Sequence, residues 1–174
     1  MNSDVLFGGT EMHMAVSPDP FGETLKKDYP EVEEYTRIYA AEGSRLIRKG
    51  TQYIEEFNLA YVDSTFFNVF TFPAVKGNPK TALQEPNTVV LSEKAAIKYF
   101  GSMDQAMGET LEIINDGKIV YKVSAIMKDM PKNSHFHLDV LFSMANAKYS
   151  FGDYMSHNFH TYVCLLYTSP SPRD

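Results

Sequence analysis

The sequence predicts an α+β fold, and three observations carry that reading. About seven or eight short strand-like segments are joined by three helical ones. A short apolar run, "NTVVLS", leads straight into "SEKAAIKYFG", where Ser92 caps a helix whose apolar stripe is Ala95, Ala96, Tyr99 and Phe100, and Gly101 ends it. "TLEIINDGKIVYKVSAIMKDMP" then reads as a hairpin, two β-branched runs flanking Asn115-Asp116-Gly117.

The remaining elements follow from the same rules. "SPDPFGETLKKDYP" predicts a short helix with Asp19 as N-cap, Pro20 at the first helical position, Phe21 and Leu25 on one face, and Pro30 as the stop. Val32 to Ala40, rich in Tyr, Thr and Ile, predicts a strand. "TQYIEEFNLAYVD" puts Tyr53, Phe57, Leu59 and Tyr61 on one face at period two. Asp63 or Ser64 is expected to cap one or two helical turns carrying Phe66, Phe67 and Phe70. Pro73, Gly77, Asn78 and Pro79 then predict a loop. In the second arm of the hairpin, Ile119, Tyr121, Val123, Ala125 and Met127 share a face opposite Lys118, Lys122, Ser124 and Lys128. In "SHFHLDVLFSM", alternation places Phe136, Leu138, Val140 and Phe142 inward and His135, His137, Asp139, Leu141 and Ser143 outward.

Composition narrows the function classes. Of 174 residues, 44% are apolar and 22% charged, and 12 Phe and 11 Tyr accompany no Trp, which fits a folded domain with an aromatic core. The net charge of -6 argues against nucleic acid, because the longest basic run is the short "RLIRKG". No run approaches the roughly 18 to 20 apolar residues of a membrane helix, and Met1 to Val16 does not read as a signal peptide. Both ends read as truncated. Cys164 to Asp174, "CLLYTSPSPRD", resembles translated sequencing adapter, so a native domain is expected over residues 1-163 and a non-native tail over 164-174.

Four motifs in order carry a family resemblance: "STFFNVFTFPAVKGNPKTALQEPNTVVLSEKAAIKYFG", "MGETLEI", "YKVSAIMKDMPKNSHFHLDVLFS" and "NFHTYV". From about Pro18 to Val163 the chain resembles the MacB-like periplasmic core domain of FtsX-type ABC transporter permeases. The resemblance implies a porter-like α/β subdomain plus a mostly antiparallel β subdomain, inserted after the first membrane helix on the periplasmic side of a bacterial inner membrane. It implies a non-enzymatic part that transmits ATP-driven motion for export or envelope signalling. Expected partners are a cytoplasmic ABC ATPase, a second permease copy or paired permease, and a periplasmic adaptor; no cofactor is expected.

The residues also allow other chemistries. His135, His137 and Asp139, with His157 or His160, form on paper the ligand set of a small metal-dependent hydrolase, and Cys164 would be a further ligand if native. Simple alternation explains the same histidines as the polar face of a strand, so no metal-binding or catalytic residue is assigned. Glu33-Glu34 and Glu55-Glu56 are adjacent in extended segments, point to opposite faces, and read as solvated edge charges. Asp129 and Asp139 are expected to bond backbone beside the Met130-Pro131 turn. Serines 64, 92, 124, 134, 143, 150 and 156 show no nucleophile elbow, and "LFGGTE" lacks the Lys-Ser/Thr of a P-loop. The aromatic residues of "FNVFTFP" and "KYFG" are assigned to the core.

Overall fold

The structure, a computed structural model, describes residues 3–7, 10–14, 16–40, 43–114 and 117–166. The elements in order are β1 (Ser3–Phe7), β2 (Thr10–Met14), β3 (Ser17–Pro18), α1 (Phe21–Asp28), β4 (Val32–Ala40), β5 (Arg45–Lys49), β6 (Gln52–Glu56) and β7 (Leu59–Val62). They continue with α2 (Phe66–Val69), β8 (Ala74–Lys76), β9 (Thr88–Ser92), α3 (Glu93–Phe100), α4 (Met103–Ala106), β10 (Thr110–Ile113), β11 (Ile119–Met127), β12 (Val140–Ser143), a 3-10 turn (Met144–Asn146) and β13 (His157–Leu165).

β1 and β2 form an antiparallel hairpin of their own. The other strands make one eleven-stranded sheet in the order β3-β13-β4-β7-β12-β9-β11-β10-β5-β6, with β8 paired to β11. Two pairs, β7 with β12 and β9 with β11, are parallel; the rest are antiparallel. The α+β class is therefore as expected. An α/β part centred on β7, β12, β9 and β11 carries α3, while α1 and α2 pack on the neighbouring β4 and β13, and β10, β5 and β6 extend the sheet as an antiparallel arm.

Two apolar layers sandwich the sheet. One joins Tyr61, Leu91, Tyr121, Val140 and Phe142 to the buried stripe of α3; the other joins Ile38, Val62, Val90, Met127 and Leu141 to Phe66 and Phe67 of α2. Every residue of β7, β9 and β12 is buried, as expected of strands covered on both faces. α3 matches its sequence reading: the Ser92 hydroxyl accepts from the Ala95 amide at 3.1 Å, and Gly101 closes the helix at φ +84.

The tertiary structure corrects several expectations. Residues 134 to 139 are not strand, and Leu141 and Ser143 are buried rather than outward. The 134 to 138 segment folds back so that Phe136 and Leu138 join the α2 layer. Tyr53 and Phe57 do not share a face with Leu59 and Tyr61: they are 58% and 64% exposed, because β6 is the outer edge of the sheet while β7 is central. The predicted loop at Pro73 to Pro79 contains β8, and α4 was not foreseen. Neither Asp19 nor Asp63 nor Ser64 caps its helix; α1 and α2 have Pro20 and Thr65 at that position, with no side-chain cap. The hairpin pairing of β10 with β11 forms as expected, but the register shifts between Val123 and Ala125, so the expected single face is split: Tyr121 and Val123 join one apolar layer, Ala125 and Met127 the other. Asn115 and Asp116 lie outside the described residues.

Candidate functional site

Four histidines define the metal alternative. His135 Nε2 shares a 2.7 Å hydrogen bond with the Tyr162 hydroxyl, whereas His137 Nε2 lies 3.0 Å from the Pro131 carbonyl oxygen. His157 sits opposite Pro18 and His160 opposite Ile38, at different positions along β13. Of these four, His135 and His160 line one cavity, of about 560 Å³, together with Ile38, Ala40, Phe136, Leu138, Thr161 and Tyr162. Among the described residues no carboxylate lines it. Among the described residues no group of three or more His, Cys, Asp or Glu converges as a metal would need. The strand predicted to align His135, His137 and Asp139 does not form, so the set is dispersed.

Asp139 serves α3 instead. Its Oδ1 accepts from Ser92 Oγ at 2.9 Å and its Oδ2 from Lys94 Nζ at 2.9 Å and Asn58 Nδ2 at 3.1 Å. Burial alone would raise its pKa, but these three donors hold it below the ordinary carboxylate value, and the same ion pair raises that of Lys94. Asp129 accepts from the Lys94 amide at 3.0 Å. Both aspartates thus hold the start of α3, not the Met130-Pro131 turn.

Glu56 departs further from its expectation. It is 6% exposed, not a solvated edge charge. Its carboxylate accepts from Tyr99 Oη at 2.6 Å, Lys98 Nζ at 2.8 Å and the amides of Phe57 and Asn58 at 3.1 and 3.3 Å. Burial would raise its pKa; the hydrogen bonds from Lys98, Tyr99 and Asn58 lower it below the usual value, and burial with this bond pushes the Tyr99 phenol far up. A buried carboxylate with four donors is a structural anchor, because each of its lone pairs is engaged.

The densest polar assembly is one that sequence reasoning passed over. Arg37, in the middle of β4, directs Nε and Nη2 at the two oxygens of Asp63, both at 2.9 Å, and Nη1 at the Asp19 carbonyl at 3.0 Å. Its guanidinium carbon lies 5.5 to 6.0 Å from the ring centres of Tyr35, Phe151 and Phe159. Burial would lower the Arg37 pKa, and the bonds and charge of Asp63 more than reverse that. A cleft of about 310 Å³ opens beside it, lined by Asp63, Ser64, Leu83, Gln84, Ser143 and Phe151 among others. The signal was present in the sequence: an arginine between Thr36 and Ile38 in a strand needs an acidic partner if the strand is covered. Asp63, 26 positions later, was assigned to helix capping instead.

Comparison with known proteins gives the chain's family. No curated protein sequence matches the chain. Among solved structures it is similar to a permease-protein domain from Porphyromonas gingivalis, with a TM-score of 0.73 and 19% identity over 92% of this chain and 68% of that one. It is also similar to the periplasmic region of MacB from Actinobacillus actinomycetemcomitans, with a TM-score of 0.62 and 19% identity over 83% of this chain and 62% of that one. The extracellular domain of the noncanonic ABC-type transporter YknZ from Gram-positive bacteria gives a TM-score of 0.62 and 16% identity over 88% of this chain and 75% of that one. These likenesses establish the fold. The profile of the MacB-like periplasmic core domain matches residues 3–171. The chain therefore belongs to the MacB-like periplasmic core domain family, which is a domain of ABC transporter permeases and not a known class of enzyme.

Proposed function

We propose that this chain is the extracytoplasmic part of a permease subunit and works as a rigid transmission module that passes ATP-driven movement across a bacterial inner membrane, with no chemistry of its own. The observation that carries the reading is the single sheet running unbroken from β3 to β6. Its central strands β7, β9 and β12 are buried on both faces and resist internal deformation, so displacement at one edge is passed through them as rigid-body motion toward the other. The buried charges fit the same role, being spent on fastening elements to each other. The partner that hydrolyses ATP is a cytoplasmic ABC ATPase reached through membrane helices; a second permease and a periplasmic adaptor are the expected neighbours outside the membrane. The output is export or envelope signalling.

The test uses the full-length permease with its ATPase. Replacing the domain with a short flexible linker should leave ATP hydrolysis measurable and abolish the output; full output without the domain would overturn the reading. We also propose that residues 164-174 are not native. The genomic locus should then encode other residues after Val163, and finding "CLLYTSPSPRD" in the genome would refute this.

A further inference from the structure

Arg37 joins segments that are remote in sequence. Its guanidinium holds the Asp19 carbonyl between α1 and β3, while its backbone amide and side chain both bond Asp63 at the end of β7. Asp19 is the second half of the joint. Its carboxylate lies 3.9 Å from Arg37 Nη1 with its side chain 4% exposed, and it accepts the amides of Gly152 at 2.8 Å and Asp153 at 3.2 Å. One residue is thus gripped through its backbone by Arg37 and grips a distant loop through its side chain.

Further bonds run in parallel. Ser17 Oγ bonds Thr161 Oγ1 at 2.7 Å and the Phe159 carbonyl at 3.2 Å, and Thr24 bonds the Tyr154 hydroxyl at 2.9 Å. Residues 147 to 156 contain no helix or strand, so their position depends on such bonds, on Phe151 over Arg37 and, at the start of the loop, on Tyr149 packed against Tyr39 and Phe159. Inside the loop, Asp153 accepts from the Met155 amide and the Ser156 hydroxyl, which stiffens its turn.

We propose that Arg37 is the pivot that couples residues 17–28 to the 147–156 loop, so that displacement of the first segment carries the second with it. A planar guanidinium fixed on both carboxylate oxygens of Asp63 cannot swivel as a single-point lysine would, and this rigidity lets one side chain relay a movement. A contiguous, fully bonded chain connects the two segments, as coupling through a packed network requires. That the membrane side supplies the displacement rests on the transmission role proposed above.

Hydrogen exchange of this chain tests the pivot alone. In Arg37→Met, exchange at Gly152 and Asp153 should speed up roughly tenfold, the scale of losing a hydrogen bond to a charged acceptor, although neither amide touches Arg37. Amides of β9 and β11 should not change. Asp63→Asn, which loosens Arg37 without touching the loop, should show the same effect and serves if Arg37→Met does not fold. Unchanged protection of Gly152 and Asp153 in the folded variants overturns the proposal.

A second measurement separates the pivot from the role on which it rests. In the full-length permease with its ATPase, exchange is compared between the nucleotide-free and the ATP-vanadate-trapped states. Wild type should respond at both 17–28 and 147–156. In Arg37→Met the response at 147–156 should fall well below that of wild type while 17–28 still responds, the direct bonds of Asp19 and Thr24 to the loop carrying what remains. A loop that responds in Arg37→Met as strongly as in wild type overturns the pivot. Silence of both segments in wild type overturns the transmission role, and the first measurement still decides the pivot.

Discussion

Replacing Glu56 with glutamine removes one charge and almost no volume, so it isolates the worth of a buried carboxylate. Tyr99, 2% exposed, donates to Glu56 Oε2 at 2.6 Å. A bond from a buried donor to a charged acceptor is worth about 1.5–3 kcal/mol. Lys98 contributes less than about 1 kcal/mol, since its side chain is 43% exposed and can turn to water. Glutamine keeps one acceptor for Tyr99 or an amide, so the net loss should be about 2 kcal/mol. For a chain of this size that lowers the melting temperature by about 4–8 °C. The pH dependence fixes the sign. The folded state lowers the Glu56 pKa from 4.5, so its stabilisation is complete above the unfolded value and is lost as pH falls through the folded one. Urea denaturation of both proteins should show the full gap at pH 7 and a narrowing gap below 4.5, as the protonated carboxyl comes to resemble the amide. A gap under about 0.5 kcal/mol at pH 7 refutes the anchor, as does a gap that stays constant in acid.

Three further outcomes follow from named contacts. Ser92→Ala loses both the cap on Ala95 and the bond to Asp139 and should cost about 1–2 kcal/mol in urea denaturation. Phe66→Ala empties a fully buried site ringed by Phe67, Phe70, Phe72 and Phe136 and should cost about 3–5 kcal/mol by the same assay, with the lower end meaning collapse of the ring cluster. Zinc titration followed by elemental analysis should show no stoichiometric uptake in wild type or in His137→Ala; uptake that His137→Ala removes would restore the metal alternative.

What the residues decide locally is local in its physics. α3 needed only Ser92, an apolar stripe and Gly101, all within a dozen positions, and it forms with the ends read from them. β4 spans Val32–Ala40 as its composition predicts, and β9 is buried as its unbroken apolar run implies. The family resemblance was legible for the same reason, since it rests on the order of such local pieces and the profile match covers them.

The site was less legible, because each of its side chains had a local use and a distant one. Asp19 and Asp63 are good caps by position, yet the fold gives them amides and a guanidinium from β4 and the 147–156 loop, which make more and stronger bonds than a helix end offers. Glu55 and Glu56 look alike in sequence. Only the second meets α3, so only it is buried.

Alternation misled in the same way at "SHFHLDVLFSM", because a period-two pattern reports an outer face only when one face is open to water. β12 lies between β7 and β9 with apolar layers on both sides, so Leu141 and Ser143 are inside and the imidazoles belong to the segment before the strand. Composition, the capped helix, the main strands and the family were determined by the sequence itself. Which strands are central, which charges are buried, and the meeting of Arg37, Asp63 and Asp19 were decided by the tertiary structure, because burial and pairing belong to neighbours that lie far away along the chain.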